Sequence, residues 1–173
     1  MKKQDARKFG QTARGNLTAE ERQTFDKIIT EKLFGLNGFL SWQNYFVYLN
    51  FKTEVSTVQV IKRLLDLGKN VFVPKIIKGK MYAVKYAPPF VKNFYGIDEP
   101  FLSECAGKID LCIAPLSCVD KSLNRVGYGK GYYDRFFAEN DCVKVGICYS
   151  CQTVEEIEVE NTDIPLDVIV TEK

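Results

Sequence analysis

Three glycines alternate in the segment Asn124-Arg-Val-Gly-Tyr-Gly-Lys-Gly-Tyr-Tyr-Asp-Arg135, at Gly127, Gly129 and Gly131. Glycine lets a backbone come close to a ligand and take positive φ, so that successive N–H groups can converge on an anion. Arg125 and Lys130 add positive charge, and Asp134 adds a carboxylate able to bind Mg²⁺ through hard oxygen. Together these residue types suit a phosphate-and-magnesium site. A structural turn, with Asp134 satisfied by the first turn of a helix, is the plainer alternative. The segment is not a P-loop, because Gly131 follows Lys130 where Ser or Thr is required, and it is not a dinucleotide fingerprint.

Three other clusters carry candidate groups. Glu54 lies in Asn50-Phe-Lys-Thr-Glu-Val-Ser56, directly after an apolar run, and Tyr95 lies in Asn93-Phe-Tyr-Gly-Ile-Asp-Glu-Pro100 with a ring able to stack on a planar heterocycle. Thr162-Asp-Ile-Pro-Leu-Asp167 sets two carboxylates four residues apart, for a metal or for a turn. Lys2, Lys3, Arg7, Lys8 and Arg14 face only Asp5 in the first fourteen residues. That basic segment could meet nucleic acid, a phosphorylated small molecule or solvent. The chain has no histidine. Histidine general bases, Ser-His and Cys-His pairs and histidine metal ligands are therefore excluded.

The elements that must position these groups alternate. Thr18 and Glu21 form a capping box ahead of a helical stripe of Phe25, Ile28, Ile29 and Leu33. Residues 45–49 read as a buried strand, 56–67 as a helix ending at Gly68, and 70–73 as a strand stopped by Pro74. Lys78-Gly79-Lys80 marks a hairpin within 76–84, 109–114 is a strand, and a helix runs from about 131 to 138. Strands at 144–148 and 167–170 complete the pattern. This order predicts a mostly parallel sheet covered on both faces, with its site on the loops that leave strand C-termini.

The 173 residues, 46% hydrophobic and 27% charged with net charge +2, describe a single soluble domain over 1–173 without a nucleic-acid or membrane signature. No apolar run is long enough to span a bilayer, and no secretory signal opens the chain. The six cysteines, including the CxxC of Cys148 and Cys151, lack the partners of a zinc set and read as buried thiols in a cytoplasmic protein.

Several segments taken together resemble the 5-formyltetrahydrofolate cyclo-ligase family. They are Lys3 and Arg7 with Arg14 downstream, Glu54-Val-Ser-Thr57, Tyr95-Gly-Ile-Asp-Glu-Pro100, Ile113-Ala-Pro-Leu116, the glycine segment from Arg125 to Arg135, and Asp163-Ile-Pro-Leu-Asp-Val-Ile-Val-Thr-Glu172. They run in family order nearly end to end. The resemblance implies a three-layer α/β/α single domain with a mostly parallel central sheet. It also implies an ATP- and Mg²⁺-dependent conversion of 5-formyltetrahydrofolate to 5,10-methenyltetrahydrofolate by a monomer. In that chemistry the formyl oxygen attacks the γ-phosphate, N10 closes the ring, and phosphate leaves. Carried over by position, Lys3, Arg7, Arg125, Gly127, Tyr128, Gly129, Lys130, Gly131, Tyr132 and Asp134 would bind the nucleotide. Arg125 and Lys130 would act in phosphoryl transfer, Glu54 and Tyr95 would bind folate, and Asp134 and Asp167 would hold the metal. Leu123, Val126 and Thr162 stand where the family usually has Gly, Leu and His. The alternatives are another phosphate-binding α/β enzyme, such as a sugar-phosphate isomerase, or a non-catalytic folate- or RNA-binding module.

Overall fold

The computed structural model describes residues 1–94, 96–102 and 104–173. In chain order its elements are α1 (Lys3–Gly15), α2 (Ala19–Gly35), β1 (Asn44–Val47), α3 (Val58–Asp66), β2 (Asn70–Ile77), β3 (Lys80–Lys85), β4 (Phe90–Lys92) and β5 (Asp98–Pro100). Then come β6 (Leu111–Ala114), β7 (Cys118–Asp120), β8 (Arg125–Val126), α4 (Tyr132–Glu139), β9 (Val143–Ile147), β10 (Thr153–Val154) and β11 (Val168–Val170).

The main sheet has the order β11-β9-β6-β1-β2-β3, parallel throughout except for the antiparallel β2–β3 pair at one edge. Side chains alternate between its faces, as a strand requires. Tyr45, Val47, Leu111, Ile113, Val145 and Ile147 turn to one face, where Ile29 and Leu33 of α2 and Val60, Ile61 and Leu64 of α3 cover them. Phe46, Cys112 and Ala114 turn to the other, under Phe136 and Phe137 of α4. The result is the three-layer α/β/α arrangement expected. Each fully buried leucine or isoleucine in these layers contributes roughly 2 kcal/mol.

Local signals explain most boundaries. The Thr18 hydroxyl accepts the Glu21 N–H at 3.1 Å and Glu21 accepts the Thr18 N–H at 2.8 Å, so the capping box starts α2 as expected. Lys78 and Gly79, with φ of 49° and 79°, turn β2 into β3 in the left-handed conformations a tight hairpin needs. The strand predicted to stop at Pro74 instead continues to Ile77. The Tyr86 N–H reaches the Val71 carbonyl, so odd-numbered β2 groups face β3 and the Pro74 nitrogen faces β1. Pairing with β1 has already ended at Phe72, and the missing N–H costs no ladder bond there.

Two small sheets were not foreseen. One is β4–β5 and the other has the order β10-β7-β8. The second carries α1, whose buried Ala6 packs with Cys118, Val126 and Ile157. Gly10, also on the buried side of α1, is there for close approach: a Cβ on it would lie 1.9 Å from the Ser117 carbonyl oxygen.

Candidate functional site

Lys3, Arg7, Gly10 and Arg14 are spaced four, three and four residues apart, which lines them along one face of α1. Because Gly10 brings that helix against Ser117, the face lies over the glycine segment. Arg7 donates from Nε to the Gly127 carbonyl at 2.6 Å. Its guanidinium also fills the space where a Cβ on Gly129 would sit, 3.1 Å from Nη2, and Gly129 has φ +91°. Lys3 forms an ion pair with Asp163 at 2.6 Å and another with Glu160 at 3.3 Å. Burial would raise the Asp163 pKa, but the Glu160 N–H, which donates to its carboxylate, and the Lys3 ammonium together hold it below its ordinary range.

Arg14 was not among the predicted site residues, yet it is the buried cation at the centre. Its Nε donates to the Thr53 hydroxyl at 3.2 Å, Nη1 to the Leu116 carbonyl at 3.2 Å, and Nη2 to the Tyr128 hydroxyl at 3.0 Å. The Tyr128 hydroxyl lies 3.0 Å from Glu54 Oε1. Glu54 is only 7% exposed, and its Oε2 accepts the Phe51 N–H at 2.8 Å. Burial pushes its pKa up, while the Phe51 N–H, Arg14 and Tyr128 pull it back. Glu54 follows β1 and Leu116 follows β6, so the cluster sits at the C-terminal edge of the parallel strands, where the topology places a ligand. The helical spacing of the basic residues was the available signal for Arg14.

Arg125 has a different environment from the one its motif suggests. Its side chain is 4% exposed and donates to Asp134 Oδ1 at 3.0 Å, with the rings of Tyr133 and Phe137 at 5.7 and 5.2 Å. Its Nε and the Tyr133 hydroxyl are buried without a hydrogen-bond partner. Asp134 also accepts the Ile164 N–H at 3.4 Å, which draws the segment carrying Asp163 toward it. Gly131, with φ +62°, caps α4. Tyr132 is half-buried with the Arg135 guanidinium 5.1 Å from its ring, and Lys130 is exposed.

The expected Asp134–Asp167 pair is not brought together. Asp167 accepts the Lys144 N–H at 2.7 Å and pairs with the Lys144 ammonium at 3.1 Å, where β9 and β11 begin rather than end. Asp163 is the carboxylate of that pair that lies beside the Asp134 contact. Among the described residues no group of three or more carboxylates, thiols or imidazoles is gathered for a metal. Tyr95 lies outside the described residues. Cys148 and Cys151 are free thiols, Cys148 buried, and burial raises the pKa of both. None of the described helices is long and apolar enough to cross a membrane.

The sequence model of the 5-formyltetrahydrofolate cyclo-ligase family matches residues 1–172. The chain is 32% identical to the 5-formyltetrahydrofolate cyclo-ligase of Haemophilus influenzae, covering 98% of each chain. It is 31% identical to that of Escherichia coli K12, over 90% of this chain and 92% of the other. Its backbone superposes on the 5,10-methenyltetrahydrofolate synthetase of Aquifex aeolicus with a TM-score of 0.87 at 31% identity, covering 99% and 90% of the two chains. The corresponding protein from Mycoplasma pneumoniae gives 0.80 at 26% identity with full coverage of both.

Proposed function

Because the chain belongs to the 5-formyltetrahydrofolate cyclo-ligase family, we propose that the C-terminal edge of its sheet is where ATP drives closure of 5-formyltetrahydrofolate to 5,10-methenyltetrahydrofolate. The observation that carries this reading is the contact of Tyr128, in the middle of the glycine segment, with the buried carboxylate of Glu54, 74 residues away. It brings the glycine segment, read here as the phosphate loop, beside a carboxylate suited to a heterocycle's N–H donors.

The nucleotide lies along the glycine segment, with Lys3, Arg7 and Lys130 as its cations. Phosphoryl transfer needs alignment and charge stabilisation more than covalent help, and this suits a site without histidine. The formyl oxygen displaces ADP from the γ-phosphorus. N10 then attacks the activated formyl carbon, loses its proton, and expels phosphate. Arg125 pairs with Asp134 and comes to phosphate only if that pair opens. Mg²⁺ fits the donor set, since it takes one or two carboxylates and completes its shell with phosphate and water. Asp134, supported by Asp163, would hold it, and it would neutralise charge on the transferring group. Glu54 orients the pterin ring, and the family resemblance adds Tyr95 as a folate-binding residue.

In this reading the working unit is a cytoplasmic monomer. The test is the near-ultraviolet absorbance of the methenyl product when folded protein, Mg-ATP and 5-formyltetrahydrofolate are mixed. Product that depends on ATP is expected; none from folded protein would overturn the assignment.

A further inference from the structure

We infer that Tyr128 is a positioning residue that couples the two substrate sites, orienting the Glu54 carboxylate for the folate ring while holding the glycine loop ready for nucleotide. This rests on the folate reading of the Glu54 pocket. The direction of the hydrogen bonds is fixed by chemistry. A guanidinium has no acceptor, so Arg14 Nη2 must donate to the Tyr128 oxygen at 3.0 Å. The Tyr128 proton is then directed at Glu54 Oε1, also 3.0 Å away. Arg14 cannot swing to relieve the arrangement, because Thr53 and Leu116 hold its other nitrogens.

Both shoulders of Tyr128 are held as well. Arg7 binds the Gly127 carbonyl, and the same guanidinium packs against Gly129 where a side chain would otherwise stand. Tyr128 itself is 51% exposed, so its ring stands at the surface between the loop and Glu54 instead of filling a core. A change in the pose of the loop is transmitted through the hydroxyl to Glu54. Each Glu54 oxygen already has one donor, Phe51 N–H on Oε2 and Tyr128 on Oε1, and retains a second lone pair. A ring with two N–H donors can therefore bind the carboxylate without displacing Tyr128. Under that arrangement each substrate tightens the other, and the factor must be the same in both directions.

The test is calorimetric titration of 5-formyltetrahydrofolate with and without a non-hydrolysable ATP analogue and Mg²⁺. The unaltered protein should bind folate more tightly with the analogue present. Tyr128→Phe should weaken folate about tenfold or more, as expected for a lost hydrogen bond to a charged group, and should abolish the enhancement. In a Glu54→Gln background the same change should have no further effect on folate affinity. Tyr128→Met, which also lacks the hydroxyl, should reproduce the pattern, and melting curves establish that each variant is folded. Retained enhancement in both Tyr128 variants, or additive losses in the double variant, would overturn the coupling alone. Failure of the unaltered protein to bind folate would overturn the pocket reading with it.

Discussion

Replacing Gly10 by alanine sets two effects against each other. In an isolated helix alanine is more favourable than glycine by about 1 kcal/mol. Here the new methyl would stand 1.9 Å from the Ser117 oxygen, 2.8 Å from the Ser117 carbonyl carbon and 3.2 Å from the Cys118 Cβ. The first two are backbone atoms of the residue directly before β7 and cannot rotate away. Reaching even 3.0 Å from that oxygen moves α1 outward by about 1.1 Å, and overpacking of this kind costs ~1–3 kcal/mol. Sterics therefore match or exceed the helical gain, and net destabilisation of up to about 2 kcal/mol is expected, a fall in Tm of up to roughly 8 °C. The functional effect is larger. The Arg7–Gly127 bond, 2.6 Å in the structure, would stretch beyond hydrogen-bonding range with that displacement. Misplacement by about 1 Å can cost on the order of 10²-fold in rate. Steady-state assay of methenyl formation should thus show a loss near that size in kcat/KM for ATP, alongside the modest fall in Tm. A Gly10→Ala protein with unaltered Tm and kinetics would refute the claim that close approach of α1 builds the phosphate side.

Two other perturbations follow from the electrostatics. Burial raises the Glu54 pKa, so folate kcat/KM should fall on acidification through a limb above the ordinary glutamate range, and Glu54→Gln should remove that limb. Between the unfolded and folded pKa values the native state binds the extra proton. Glu54's contribution to stability consequently declines as pH rises through its folded pKa, and a limb at the ordinary glutamate position would contradict the burial argument. Arg125→Ala leaves Asp134 without its partner and the ring pocket of Tyr133 and Phe137 unfilled. About 3 kcal/mol of destabilisation is expected, read as a Tm lower by roughly 6–12 °C, and an unchanged Tm would show that the pair is not structural.

The layers were legible because their causes are local. The capping box of α2, the apolar stripe of α3 and the Lys78-Gly79 turn each lie within a few residues. Pro74 misled because its effect depends on where β1 ends, which its own neighbours do not encode. The β10-β7-β8 sheet joins segments of two or three residues from distant parts of the chain, too short to carry a period. At the site, the glycine segment was legible as a candidate phosphate loop, but which carboxylate meets which cation is decided by packing. Arg125 and Asp134 found each other, and Asp167 went to Lys144. Leu123 shows a third case. The family resemblance placed glycine there, and the chain adopts φ +66° with leucine, a conformation that costs a non-glycine residue roughly 1–2 kcal/mol. Hydrogen bonds from the Leu123 N–H to Asp120 and from the Leu166 N–H to the Leu123 carbonyl hold it in place.

The way α1 is seated separates losing the site from losing the fold. The central sheet is locked between two extensive apolar layers, whereas α1 rests on Ala6 against Cys118, Val126 and Ile157, with polar ties supplying the rest. Segments with few apolar contacts open well below the global unfolding free energy. Fraying of α1 would withdraw Lys3, Arg7 and Arg14 together while β1, β6 and β9 stay paired. On warming, turnover should fade while the circular dichroism of the sheet is still native, and amide hydrogens of α1 should exchange before those of the central strands.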